Sequence, residues 1–323
     1  MPWTRGSGGG RHLARFGAVQ TLVMSALRTK LTLDAPTRSI PDISSYCTMG
    51  SERLGKGERP MSFQLSGSAP DIYENSMVPL WFGRWAEALL TFVSLKTGET
   101  VLDVACGTGV TTRIAKRDVG SDGRVTGLDI NAGMLAKARE LASDMDINWI
   151  ESDVLGTGLP NDSFNAVISQ HGYHYFPDQP AAMREFYRVL APSGRIAMSI
   201  WDGHSAYTKA LCSAVEKFIS PEIAKKQRSQ RETPSADKLI AGFSEAGFRS
   251  VTVVRQELSI KVPLAAEFVP LHLGSMPIAN AFHSLPDEEK EALIADVAHT
   301  LRGQVVGDQI VYSDAVNVVA GVK

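Results

Sequence analysis

Val101-Leu-Asp-Val-Ala-Cys-Gly-Thr-Gly109 decides the fold. Val101, Leu102 and Val104 make a short apolar run that reads as a buried strand. Ala105, Gly107 and Gly109 then supply small residues for a tight turn, and residues 110–117 resume with helical spacing. A strand that ends in such a turn and opens a helix lets a ligand lie against the backbone, with the helix N-terminus offering free amides. The turn alone also fits a dinucleotide site, because Gly107-x-Gly109 is part of G-x-G-x-x-G. The third glycine of that pattern would fall on Thr112, which opposes it.

Outward from this turn, strands and helices alternate. Residues 124–128, 147–151, 164–169 and 195–201 read as short apolar strands. Residues 131–143 form a helix opened by an Asn131 N-cap, and residues 179–190 a helix that stops before the turn Pro192-Ser-Gly194. This alternation means βαβ units, so the fold class is α/β with a doubly wound, mostly parallel sheet over about residues 61–260. Upstream, residues 70–95 carry apolar positions at helical spacing, among them Leu80, Trp81, Trp85, Leu89 and Phe92. Downstream come a helix at 235–246, a strand at 251–260, a helix at 287–301 and a strand near 315–319. The stretch 262–307 is longer than a turn needs, and reads either as a helical lid insertion or as plain helical packing.

Three acids follow in register. Asp129 closes the second strand, 22 residues past Gly107, where a carboxylate can accept both hydroxyls of a ribose. Asp153 closes the third strand, 24 residues further on, where it can accept from an adenine amino group beside the Val154 amide. Asp103 lies deeper, suited to stabilising an ammonium or sulfonium. The glycine turn holds no Arg or Lys, so the set describes a hydroxyl-rich ligand that is cationic at one end rather than a pyrophosphate.

At these residues the sequence resembles the class I S-adenosylmethionine-dependent methyltransferases. Asp103-Val-Ala-Cys-Gly-Thr-Gly109, Gly127-Leu-Asp-Ile-Asn131 with Met134-Leu135, Ser163-Phe-Asn-Ala-Val-Ile-Ser169 and Arg188-Val-Leu-Ala-Pro-Ser-Gly-Arg195 carry the likeness in order, across about residues 70–260. Within the class it is similar to the small-molecule subgroup of ubiquinone/menaquinone C-methyltransferases. The resemblance implies a seven-stranded sheet with an antiparallel last strand and S-adenosyl-L-methionine as cofactor. It places Ala105, Cys106, Gly107, Thr108 and Gly109 around the methionine part, Asp129 on the ribose, and Asp153 with Val154 on adenine. Asp103, Ile130, Met134 and Gln170 complete the implied set. Two positions depart from the pattern: Ala105 replaces the first glycine of the loop, and Asn165 stands where Asp is common.

Residues after the fourth strand face the transferred methyl group in this fold. Here they read Gln170-His-Gly-Tyr-His-Tyr-Phe-Pro-Asp178. Methyl transfer from a sulfonium is an in-line displacement in which positioning supplies most of the rate. An acceptor that must lose a proton also needs a base, and His171 and His174 are the candidates, with Tyr173 or Tyr175 as wall or donor. His204 is a third candidate or the start of the next helix; Tyr73 and Trp81 are candidates for closing over the cofactor or for core packing. No metal is expected, since no further ligands cluster near His171-x-x-His174. The Asp/Asn-Pro-Pro-Tyr/Phe motif expected of enzymes methylating amino groups of nucleic acids and proteins is missing after the fourth strand, so a small-molecule acceptor is expected.

Composition narrows the alternatives. Of 323 residues, 44% are hydrophobic and 21% charged, and the net charge is −2, which excludes a fibrous or wholly disordered chain and disfavours a nucleic-acid partner. No apolar run approaches the ~18 residues of a membrane span. Three scattered cysteines, Cys47, Cys106 and Cys212, read as thiols of a reducing compartment. Residues 1–60 are distinct, with nine Lys/Arg against four Asp/Glu, while residues 61–323 carry a net −7. The basic segment reads as a leader, either transit-like or placed ahead of a start at Met61; the expected location is cytoplasmic, or mitochondrial if it is a transit peptide. Two rival functions stand beside methyl transfer: a nicotinamide-dependent oxidoreductase on a similar sheet, and a non-catalytic domain that binds the same cofactor.

Overall fold

The computed structural model describes residues 69–323, so the basic leader 1–60 and Cys47 lie outside the described residues. The chain begins with helix α1 (Ala69–Ile72), a π-helical stretch (Tyr73–Phe82) and α2 (Gly83–Val93). There follow β1 (Thr100–Val104), α3 (Val110–Val119), β2 (Arg124–Asp129), α4 (Ala132–Leu141), β3 (Ile147–Glu151), β4 (Phe164–Gln170), α5 (Gln179–Val189) and β5 (Leu190–Trp201). Then come α6 (Ala206–Phe218), α7 (Pro221–Ser229), α8 (Ala236–Glu245), β6 (Arg249–Pro263), α9 (Ala265–Gly274), α10 (Ala279–His283), α11 (Asp287–Thr300), β7 (Val305–Val306) and β8 (Gln309–Val322).

The sheet runs β3-β2-β1-β4-β5-β8-β6, with the two-residue β7 paired to β8. Strands β1 to β5 pair in parallel, and β8 runs antiparallel to both β5 and β6. The doubly wound sheet with a reversed last strand is therefore present. Strand order reverses between β1 and β4, so a crevice forms outside their carboxyl ends, the place where ligands bind in open α/β sheets.

Side-chain alternation on the central strands feeds two cores. From β1, Val101 joins Trp85, Leu89 and Tyr207 on one face, while Leu102 and Val104 join Phe186, Met198 and Phe243 on the other. Burying each of these large side chains is worth about 1.5–3 kcal/mol, so the strand carrying the glycine turn is pinned from both sides. Asn165 also has a structural reason: its Oδ1 accepts the Thr100 amide at 2.8 Å, fastening β4 to the start of β1.

The structure differs from the sequence reading in three elements. The expected helix 70–95 is interrupted by the π-helical stretch, which contains Pro79. Helices α6 and α7 fall in a region, 202–234, that no apolar periodicity had marked. The final strand begins at Gln309, six residues before the expected 315, and pairs with β6 along most of its length. The stretch 262–307, read as a lid or as helical packing, starts inside β6 and holds α9, α10 and α11; Phe268, Val269, Leu293 and Val297 are buried in the core shared with α2 and α6.

Candidate functional site

The glycine turn is wound tightly. Ala105, Gly107 and Gly109 stand at φ 55°, 56° and 82°, all in the left-handed region. That explains why glycine is usual at position 105, where alanine bears mild strain. At Gly109 a side chain is excluded outright, because a Cβ would lie 2.5 Å from the Trp149 ring. Thr112 does not act as a missing third glycine: its hydroxyl donates to Asp103 Oδ2 at 2.6 Å.

Asp129 organises the rim of the turn. Its Oδ2 accepts the Gly107 amide at 2.8 Å and its Oδ1 the Asn131 amide at 2.9 Å. Burial pushes its pKa up against these amide bonds. Among the described residues no side-chain cation pairs with it, and each oxygen keeps a second lone pair for a hydroxyl. Asp153 is more exposed and turns Oδ1 to the Leu155 amide at 2.9 Å.

A cavity of about 660 Å³ opens over these groups, within the range usual for small-ligand sites. One end is lined by Ala105, Gly107, Asp129, Ile130, Met134, Asp153 and Val154, seven of the residues expected to hold the cofactor. Gln170 also lines it, but its amide is engaged with the protein: Nε2 donates to the Phe82 carbonyl at 2.8 Å and Oε1 accepts from Thr111 at 2.6 Å. Gln170 thus ties the π-helical stretch to the end of β4. Asp103, Cys106, Thr108 and Gly109 do not line the cavity. Asp103 is 1% exposed, beneath the turn rather than facing a ligand, and burial pushes its pKa up to about 7.

The Asp103 shift has a testable sign. The folded state holds this proton more tightly than the unfolded chain, so the group's contribution to stability is lost as pH rises from about 4 to about 7. Asp103→Asn keeps an oxygen for the Thr112 hydroxyl and removes the buried charge. Denaturant titrations across pH 4–8 should show the variant gaining stability relative to wild type as pH rises; parallel curves would mean that Asp103 is not held protonated.

The other end of the cavity is aromatic. His171 and His174 both line it, as do Trp81, Phe82, Trp201, His204 and His272. His171 sits at φ 56°, its amide donating to the Ser199 carbonyl at 3.0 Å, and its ring lies parallel to Trp201 at 3.7 Å. Among the described residues neither of its ring nitrogens has a partner, nor does Nδ1 of His174. Burial pushes His171 well below the ordinary histidine range and His174 down to about 3. His204 lies in the loop before α6, which is capped by Ser205.

The residues 101–194 match the family model described as a methyltransferase domain. The chain is 30% identical over 186 residues to the demethylmenaquinone methyltransferase of Listeria welshimeri, covering 53% of this chain and 79% of that one. The chain belongs to the S-adenosylmethionine-dependent methyltransferases. A second relative, the 2-phytyl-1,4-naphtoquinone methyltransferase of Synechococcus elongatus, is 35% identical over 202 residues, covering 54% of this chain and 85% of that one. In fold, the methyltransferase is similar to the YcgJ protein of Bacillus subtilis, with a TM-score of 0.51 and 16% identity over 74% of this chain and 98% of that one.

The residues fit the cofactor of this methyltransferase. Half-buried Asp129 holds backbone amides, Gly107 lines the cavity where a side chain would narrow it, and the end they form is acidic. A pyrophosphate would meet Asp129, Glu151 and Asp153 there instead of cations. Sequence reasoning found the histidines at the far end of the methyltransferase's cavity but missed an ion pair there. Arg231, just past α7, and Asp314, on β8, form a buried pair with Nη1–Oδ1 at 2.7 Å and Nη2–Oδ2 at 3.0 Å. Trp81 Nε1 donates to the same carboxylate at 3.0 Å. Only the tertiary fold brings Arg231 to Asp314.

Proposed function

We propose that the acidic end holds S-adenosylmethionine and that the aromatic end admits a small, planar, largely apolar acceptor. The observation that carries this reading is the continuity of the cavity, which joins Asp129 and Asp153 to His171 and Trp201. Asp129 takes the ribose hydroxyls, Asp153 and the Val154 amide take adenine, and Ile130, 43% exposed beside them, covers the ring. Ala105, Gly107 and Met134 bound the methionine part. The bound cofactor supplies a methyl group on a sulfonium.

The acceptor's approach is set by the chain's own walls. His171 is locked by its backbone bond to β5 and by Trp201, so it can orient an acceptor without rearranging. A histidine near pKa 3 is a poor general base at neutral pH, since transfer is best served by a group titrating near the working pH. His171 and His174 therefore act as neutral hydrogen-bonding groups. A concave pocket of small-ligand size and the net −7 of residues 61–323 both favour a small molecule over nucleic acid. The names of the two relatives, both acting on naphthoquinone-type acceptors, support a ring of that size. Among the described residues no helix is long and apolar enough to cross a membrane, and no group of three or more His, Cys, Asp or Glu is placed to hold a metal.

Calorimetric titration of the full chain with S-adenosylmethionine, S-adenosylhomocysteine and NAD in parallel tests the cofactor end. Micromolar binding of the first two and none of NAD is expected, and NAD binding alone would overturn the placement. A cytoplasmic location is part of this proposal, with a mitochondrial one following if residues 1–60 direct import; cell fractionation decides between them.

A further inference from the structure

The aromatic end contains a cation that the placement above leaves unused. Arg231 is 6% exposed and lines the cavity. Guanidinium has five N–H donors. Three are engaged: Nη1 donates to the Gly203 carbonyl at 3.1 Å and to Asp314 Oδ1, and Nη2 donates to Asp314 Oδ2. The remaining two, Nε–H and the outer Nη2–H, bond to nothing among the described residues. They are adjacent and parallel, forming the side-on fork with which guanidinium grips oxyanions.

The fork is held rigidly. The Arg231 Cζ lies 3.8 Å from the centroid of Trp201, and the His171 ring lies 3.7 Å from it. Two groups so near one ring centre fit only on opposite faces, so Trp201 is sandwiched between them. Both faces of Trp201 are thus occupied, and the acceptor meets polar atoms at this wall rather than an open indole. The ionisable groups around Arg231 include Asp314 and Tyr312 on β8, His171, His174 and Tyr175 after β4, His204 after β5, Cys212 on α6 and His272 on α9. Burial pushes all four histidines down, His272 to about 3.

We propose that Arg231 binds the acceptor's oxygen as an oxyanion, so that the acceptor is an aromatic hydroxyl compound taken up as its phenolate. The inference rests on the aromatic end being the acceptor site. The hydroxyl proton leaves for solvent on binding, not for a histidine. In the transfer itself the acceptor's electron pair forms the new bond to the methyl carbon, and the carbon–sulfur pair stays on sulfur. Asp314 is a positioning residue, because it aims the fork and leaves two donors outward.

4-Nitrophenol tests this, since its phenolate absorbs visible light and its neutral form does not; 4-nitroanisole has the same ring without an ionisable oxygen. Both are titrated into the full chain with saturating S-adenosylhomocysteine, at a pH below the nitrophenol's own pKa. Expected is the visible phenolate band on binding to wild type. Arg231→Gln with Asp314→Asn replaces the ion pair by a neutral hydrogen-bonded one; it should bind the phenolate at least about 10-fold more weakly, with S-adenosylhomocysteine affinity unchanged. If 4-nitroanisole and neutral nitrophenol bind wild type without that band, or the double variant binds phenolate as well as wild type does, the Arg231 role fails while the acceptor site stands. If neither compound binds wild type that does bind S-adenosylhomocysteine, both readings fall.

Discussion

Asp129→Ala is expected to weaken S-adenosylmethionine binding by roughly 10–200-fold, the equivalent of about 1.5–3 kcal/mol for hydrogen bonds to a charged acceptor. The effect has two sources. The carboxylate is the group proposed to accept the ribose hydroxyls, and it also holds the Gly107 and Asn131 amides at 2.8 and 2.9 Å. Removing it takes away ligand contacts and loosens the turn against which the ligand lies. Asp153→Ala should cost less, because Asp153 is more exposed and water can replace it. Calorimetry with S-adenosylmethionine and S-adenosylhomocysteine reads both variants. Undiminished affinity in a folded Asp129→Ala protein would remove the ribose role, and a larger loss at Asp153 would reverse the order of importance.

The acidic end of the cavity was legible in the sequence because its residues are local to single strand ends. A turn of small residues, an acid closing β2 and an acid closing β3 are each set by a few adjacent positions, and parallel pairing then brings them side by side. The register pairs Asp103 with Gly127 and Asp129 with Glu151. Asp103 was legible as an acid but not as a buried one, since its depth depends on Thr112 and on the packing of α3. The aromatic end was illegible for a different reason. Arg231 and Asp314 are 83 residues apart in the chain and meet only through the long β6–β8 pairing and the helices around it. Neither residue carries a spacing that a helix or strand period would reveal. The histidines were found by position after β4, yet their low basicity is a property of the aromatic packing around them.

The pair at the aromatic end also bears on stability. Asp314→Ala should destabilise the protein by about 3–5 kcal/mol, the usual cost of leaving one partner of a buried ion pair uncompensated. The loss spreads beyond Arg231, because Asp314 also accepts from Trp81 Nε1 at 3.0 Å and from the Ala315 amide at 3.1 Å. Trp81 lies in the π-helical stretch and stacks on Phe82, whose carbonyl is held by Gln170, so one carboxylate on β8 is connected to the end of β4. Replacing both partners, as in Arg231→Gln with Asp314→Asn, should cost much less than Asp314→Ala alone, since it leaves no unpaired charge. Urea titrations of the three proteins separate the cases. A single variant no less stable than the double one would show that Arg231 finds enough water in the cavity to do without its partner. The pair would then serve the site and not the fold.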